Sequence, residues 1–389
     1  MPEPTHIKPT IAQIFLSFLR LGCTAFGGPS MAVFIRAPAV EKKRRLDADV
    51  FSDGMALCQM IPGATAMQTA AYAGLMTRGV RGALAGFVGF GLPAFLLMTT
   101  LSALYLRTRD LPETIQLFGG LQSVIVALVA YAAYSFGKTT FKKRQTVVMA
   151  AVAAVLFAFS MHPAAVIAVS GALGRLILPK GAATPFAAGM RPRPHVRPLV
   201  LLTAMTILGF VALRVLHPAL FRTAALLFRI DLTAFGGGYA SVPLILHEFV
   251  QVRQLLDSET LMNGMVLGQI TPGPIVITAT FIGYLLHGPF GSLVATVAVF
   301  TPSFLILLAT APYYARLKAW PAFLPTITGV LASFVGLLPV VTVRFAVKVH
   351  WDAFHLLMTT AAFVALLLKV DLLWVVPAGL ALSVLAVLF

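Results

Sequence analysis

Charge is what this 389-residue sequence has least of: Asp, Glu, Lys and Arg together make up 11%, against roughly 25% in ordinary soluble domains. Hydrophobic residues make up 59% and the mean hydropathy is +0.92, more apolar surface than a water-soluble fold can hide. Cysteine is nearly absent. Cys23 and Cys58 both fall in apolar segments, which excludes a disulfide framework and a thiolate metal site and points to packing roles. The eight histidines are scattered, and His247-Glu248 lacks further ligands at metal spacing. No nucleophile and base set and no phosphate-cradling loop occurs, so neither an enzyme nor a cofactor is expected.

What is present is apolar segments near or above the roughly 20 residues that span a bilayer, recurring from Ile11 to Phe389. The polar start and the lack of a small-residue cleavage pattern predict no removable signal peptide. Formal charge is +16, but the basic residues lie mostly between apolar segments, notably Lys42 to Arg45, Lys138 to Arg144 and Lys180 to Arg197. That placement fits topology signals beside anionic lipid better than nucleic-acid binding.

The chain is an internal repeat. Thr24-Ala25-Phe26-Gly27-Gly28 returns as Thr233-Ala234-Phe235-Gly236-Gly237, and Gln59-Met60-Ile61-Pro62-Gly63 as Gln269-Ile270-Thr271-Pro272-Gly273. Gly74, Gly79, Gly82, Pro93 and Gly120 match Gly283, Gly288, Gly291, Pro302 and Gly329 at an offset of 209. Each half carries a helix broken at Gly-Gly (11–40; 219–250), one broken at Pro-Gly (47–77; 257–286), and four more apolar segments. In the first half these are 82–106, 114–137, 145–160 and 163–178; in the second, 291–311, 323–347, 352–368 and 372–389. The expected units are an N-terminal repeat, 1–178, a basic Pro-rich linker with one extra segment, 179–218, and a C-terminal repeat, 219–389. The fold class expected is an all-α polytopic membrane protein of two homologous six-segment halves plus one linking helix.

An even number of crossings per half plus one unpaired crossing starts the second half on the opposite side, giving inverted repeats. If both broken helices of a half are re-entrant, all three basic clusters fall on one side. One re-entrant element per half would instead give parallel repeats.

Inverted-repeat transporters bind substrate near the bilayer midplane, where discontinuous helices expose backbone groups and aim helix ends at the ligand. Two such interruptions per half stand at matching positions, Gly27-Gly28 with Gly236-Gly237 and Pro62-Gly63 with Pro272-Gly273. Irregular backbone at that depth must be surrounded by protein or line a cavity, and free amides at helix N-termini favour an anion. Glycine and proline also serve close packing and kinks in membrane helices, the rival use of each break taken singly.

Arg20 and Arg229 each lie seven residues before their Gly-Gly pair, on the order of 14 Å deep at 1.5 Å per residue. Charge there costs at least about 2.5 kcal/mol on the insertion scale, so it faces a cavity or partner. Two guanidiniums suit a tetrahedral dianion; the competing reading is snorkelling, or for Arg229 a pairing with Asp231, whose counterpart is Gly22. Neutral polar partners would be Thr24 and Thr233, Gln59 and Gln269, and Gln68 and Thr278. Their other use is helix-to-helix hydrogen bonding.

Phe26-Gly27-Gly28-Pro29, Gln59 to Gly63, Phe235 to Tyr239 and Gln269 to Pro274 resemble the signature motifs of the two-domain chromate ion transporters. The likeness runs over nearly the whole chain, departing at Ala32, Ala39 and Ala64, where relatives commonly carry His, Glu and Pro. It implies export of chromate from the bacterial cytoplasm and chromate resistance, in a multi-pass protein of the plasma (inner) membrane. The partners it implies are chromate or a related oxyanion such as sulfate and membrane lipids, without nucleic acid; it leaves room for a homodimer. Proton- or sodium-coupled oxyanion uptake, and a non-transporting membrane scaffold or receptor, are the alternative readings.

Overall fold

The computed structural model describes residues 9–25, 48–179 and 195–388. Among them the regular secondary structure is all helical, joined by short turns, with one isolated β-bridge. The first half contributes α1 (Ile11–Thr24), α2 (Ala48–Met60), α3 (Thr65–Thr108), α4 (Pro112–Thr140), α5 (Arg144–Ala158) and α6 (Pro163–Ile177). A linking helix, α7 (Val196–Leu216), follows. The second half contributes α8 (Pro218–Thr233), α9 (Ser241–Ile245, prolonged by a π-helical turn Leu246–Val252), α10 (Ser258–Ile270) and α11 (Thr278–Thr310). It ends with α12 (Tyr314–Ala319), α13 (Phe323–Ala346), α14 (Ala353–Leu367) and α15 (Leu372–Leu388). Five described segments are long and apolar enough to cross a membrane: 65–108, 112–140, 196–216, 275–319 and 323–346.

Local chemistry sets the helix starts. Thr10 caps α1 in a reciprocal box with Gln13, and the Asp257 carboxylate caps α10 through the Thr260 N–H at 2.6 Å. Neither α3 nor α11 is one rod. Each reverses at a residue pair outside helical geometry, Arg78-Gly79 (Gly79 φ +61°) and His287-Gly288 (Gly288 φ +67°). The arms on either side run antiparallel and touch backbone to backbone: a Cβ on Gly74 would strike the Gly82 carbonyl, and one on Gly283 the Gly291 carbonyl.

The preceding helices fold back as well. Gly54 of α2 lies under the Tyr72 ring and Gly264 of α10 under the Phe281 ring, leaving no room for a Cβ at either. Residues 48–77 and 258–286 are therefore helical hairpins with Pro-Gly at their buried tips.

Helix α7 fixes how the halves relate. At its start, His195 lies against Gly79, whose neighbour Arg78 donates from Nε to the Pro9 carbonyl at 2.6 Å. At its end, His217 stacks near Phe290, and Thr223 bonds His287 at 2.8 Å. Equivalent turns thus sit at opposite ends of a 21-residue helix, about 31 Å apart at 1.5 Å per residue, and the repeats are inverted. The halves also interlock: Gly329 of α13 packs on Gly174 of α6, while the equivalent Gly120 of α4 packs on Ser383 of α15.

Candidate functional site

At the centre, the hairpin tip of each half bonds the backbone just ahead of the other half's Gly-Gly pair. The Gly63 N–H donates to the Ala234 carbonyl at 2.8 Å, and the Gly273 N–H to the Ala25 carbonyl at 3.0 Å. Pro62 and Phe235 form the isolated antiparallel bridge. Gly63 (φ +117°), Gly273 (φ +125°), Gly236 (φ +93°) and Gly237 (φ +94°) adopt backbone that L side chains rarely enter. Pro62 and Pro272 are buried beside them. Gly27 and Gly28 lie outside the described residues.

A polar cluster occupies one side of this crossing. Asp231, 1% exposed, accepts on Oδ2 from the Ser303 N–H at 2.9 Å and the Ser303 hydroxyl at 2.6 Å. Ser303 Oγ in turn accepts from the Ala64 N–H at 2.9 Å. The Gln68 amide donates to the carbonyls of Pro62 at 2.7 Å and Ser303 at 3.3 Å. Gln68 Oε1 and Asp231 Oδ1 are buried without a partner. Ala64 stands where the resemblance implies proline, and it supplies the N–H.

The other sequence candidates occupy varied settings. Gln269 donates to the Tyr239 hydroxyl at 3.0 Å, spanning the two breaks of the second half. Thr24, Thr233 and Thr278 donate to carbonyls of their own chain segments, Arg20, Arg229 and Ile275. Gln59 is exposed, as are Arg20 and Arg229 on equivalent faces of α1 and α8. The pairing of Arg229 with Asp231 does not form; the carboxylate turns inward to Ser303. Cys58 is packed as expected, but Cys23 is exposed.

Glu248, the other carboxylate buried among the described residues, braces the halves: it bonds His162 at 3.0 Å and Arg253 at 3.4 Å. A cavity of about 670 Å³, lined in part by Arg109, Lys348, Gln254 and Asp257, opens beside the second hairpin. A second cavity, about 620 Å³ between α7 and the arms of α3 and α11, is walled mainly by Leu, Val, Phe and Met, which suits acyl chains and not a dianion.

Sequence reasoning missed Ser303, Tyr239 and the carbonyls of Ala25 and Ala234. Ser303 had a signal: it follows Pro302, and the repeat alignment pairs it with Ala94, so a hydroxyl appears on one side only.

The family model described as Chromate transporter matches residues 12–175 and 221–385, one match per half. An uncharacterized transporter of Methanocaldococcus jannaschii is 40% identical over 97% of this chain and 94% of its own length. A chromate transport protein of Cupriavidus metallidurans is 31% identical over 85% of this chain and 82% of its own. One of Pseudomonas aeruginosa is 29% identical over 86% and 80%. No solved structure matches the chain.

Proposed function

Because the chain belongs to the chromate transporter family, we propose that it exports chromate across a bacterial plasma (inner) membrane and so confers chromate resistance. The observation that carries this reading is the reciprocal pair of bonds, Gly63 to Ala234 and Gly273 to Ala25. It gathers interrupted helices from both halves at one crossing, the arrangement in which transporters expose backbone N–H groups to a substrate. Repeats 1–178 and 219–389, joined by the unit 179–218, rock about that crossing to open it to alternate sides.

Arg20 and Arg229 supply positive charge at matched places, and Thr24, Thr233, Gln59, Gln68, Gln269 and Thr278 supply neutral polar groups that let an anion leave. The turn at Arg78-Gly79 shares its side with Lys138 to Arg144, Arg175 and Arg197, while the opposite side holds Arg109, Arg214 and Lys348. The basic bias makes the first side cytoplasmic. With the interior negative, a dianion moving out gains about 4.6 kcal/mol per 100 mV, so the potential drives export.

The test is chromate survival and efflux in a sensitive bacterium expressing the wild type or the Arg20→Gln, Arg229→Gln pair. Export predicts protection by the wild type and loss of it in the pair at equal expression. Equal survival in both, or raised chromate content, contradicts the reading. Competition by sulfate in the same cells separates chromate from oxyanions of the same shape.

A further inference from the structure

Of the two carboxylates buried among the described residues, Glu248 has His162 and Arg253 as partners, and Asp231 has no cationic partner among those residues. Both donors to Asp231 come from Ser303 and both reach Oδ2, so Oδ1 carries no hydrogen bond. An ionised carboxylate would leave that oxygen charged, undonated and out of water, a costly state. A proton on Oδ1 removes the charge, and its hydroxyl then needs an acceptor. Gln68 Oε1 is a buried acceptor without a partner, on a side chain held to the same residue, Ser303.

The internal repeat supplies an independent observation. The equivalents of Asp231, Ser303, Ala64 and Gln68 are Gly22, Ala94, Pro274 and Thr278. Carboxylate, hydroxyl, backbone N–H and amide are all absent from the matching place, so the four groups form one unit present once per molecule.

We propose that Asp231 is a proton-binding site linked to the anion site: it takes a solvent proton on Oδ1, facing Gln68, when an oxyanion occupies the crossing, and returns it when the anion leaves. The linkage is electrostatic, since a second negative charge near a dianion in a low-dielectric interior is repelled. The other charged or titratable groups on its own helix are Arg222 and Arg229. Those on packed elements are Tyr284 and His287 of α11, Arg197 and Arg214 of α7, and Tyr72, Arg78, Arg81, Tyr105 and Arg107 of α3, with none in Ser241–Ile245; Glu248 and His247 follow in the π-helical turn. None of them forms a hydrogen bond or ion pair with Asp231 among the described residues. The proposal rests on the oxyanion reading above and sets its stoichiometry at one proton per dianion, which halves the electrical drive of the bare dianion and leaves its direction outward.

The test uses the full chain in liposomes and a hydrophobic carbodiimide, which adds to protonated carboxyls in apolar sites, with modification at Asp231 read by mass spectrometry. Modification should fall as pH rises, and saturating sulfate or chromate should move the midpoint to higher pH. No modification, a flat pH profile, or protection by sodium at fixed pH overturns the proton assignment. Reversal potentials give the second readout: one net charge per dianion for the wild type and two for Asp231→Asn. An equal ratio in both overturns the linkage. If the wild type moves neither anion, the oxyanion reading fails, while the pH profile of modification still reports on the proton site.

Discussion

The Gly63 N–H and the Ala234 carbonyl, 171 positions apart in sequence, meet at 2.8 Å where the tip of a hairpin from one repeat enters the Gly-Gly break of the other. The equivalent contact, Gly273 to Ala25 at 3.0 Å, makes the relationship mutual. In the proposed transport cycle the pathway between the halves has walls from both, and movement of one repeat remakes these bonds.

Replacing Gly63 with Ala should cost on the order of 1–3 kcal/mol through backbone strain alone. The added Cβ would also run into the Ser303 hydroxyl. Gly273→Ala meets the Ala94 Cβ at 2.8 Å and should behave alike. Thermal unfolding in detergent together with anion flux checks this: both variants should lose flux, and wild-type flux in either contradicts the role of the tips.

Ser303→Ala removes both hydroxyl bonds and leaves the Asp231 carboxylate and the Ala64 N–H short of partners. Leaving buried groups unsatisfied costs about 1–3 kcal/mol each, so a clear drop in melting temperature is expected. A change within error would show that water takes over these bonds.

Much of the architecture is legible because repetition is a sequence property: the matched glycines and prolines mark the Pro-Gly breaks that become the hairpin tips, and the unpaired apolar segment between the repeats becomes the linking helix. Segment ends agree to a few residues, with 114–137 becoming Pro112–Thr140 and 199–217 becoming Val196–Leu216. What sequence did not reveal is which groups the breaks bond to. Gly63 to Ala234 crosses between repeats, and no local pattern encodes that pairing. Asp231 was visible as an unmatched acid, but its partner Ser303 lies 72 positions away and needed the fold to find it.

Inversion predicts opposite accessibility of equivalent turns. In a background with Cys23 and Cys58 replaced by Ser, Arg81→Cys should react with an impermeant maleimide from the cytoplasmic side only. Phe290→Cys should react from the outside only. Labelling of both from one side contradicts the inverted arrangement.

Glu248 joins its π-helical turn to His162 at the start of α6. A double-mutant cycle of Glu248→Gln and His162→Phe should give a coupling of about 0.5–3 kcal/mol. A cycle that closes at zero would mean that the 3.0 Å contact carries no energy between the halves.

Arg20→Gln and Arg229→Gln each remove a charged donor, a loss of about 1.5–3 kcal/mol, or roughly ten- to a hundredfold in anion affinity. Unchanged binding in both variants would leave the anion to backbone groups alone.

Potential-driven chromate flux in everted membrane vesicles tests the central claim most directly. With the potential set positive inside the vesicle, wild-type vesicles should accumulate chromate, and accumulation should collapse when the potential is abolished and be lost in the Gly63→Ala, Gly273→Ala double variant. Accumulation that ignores the potential, or survives in the double variant, would contradict an anion pathway built from the crossed breaks.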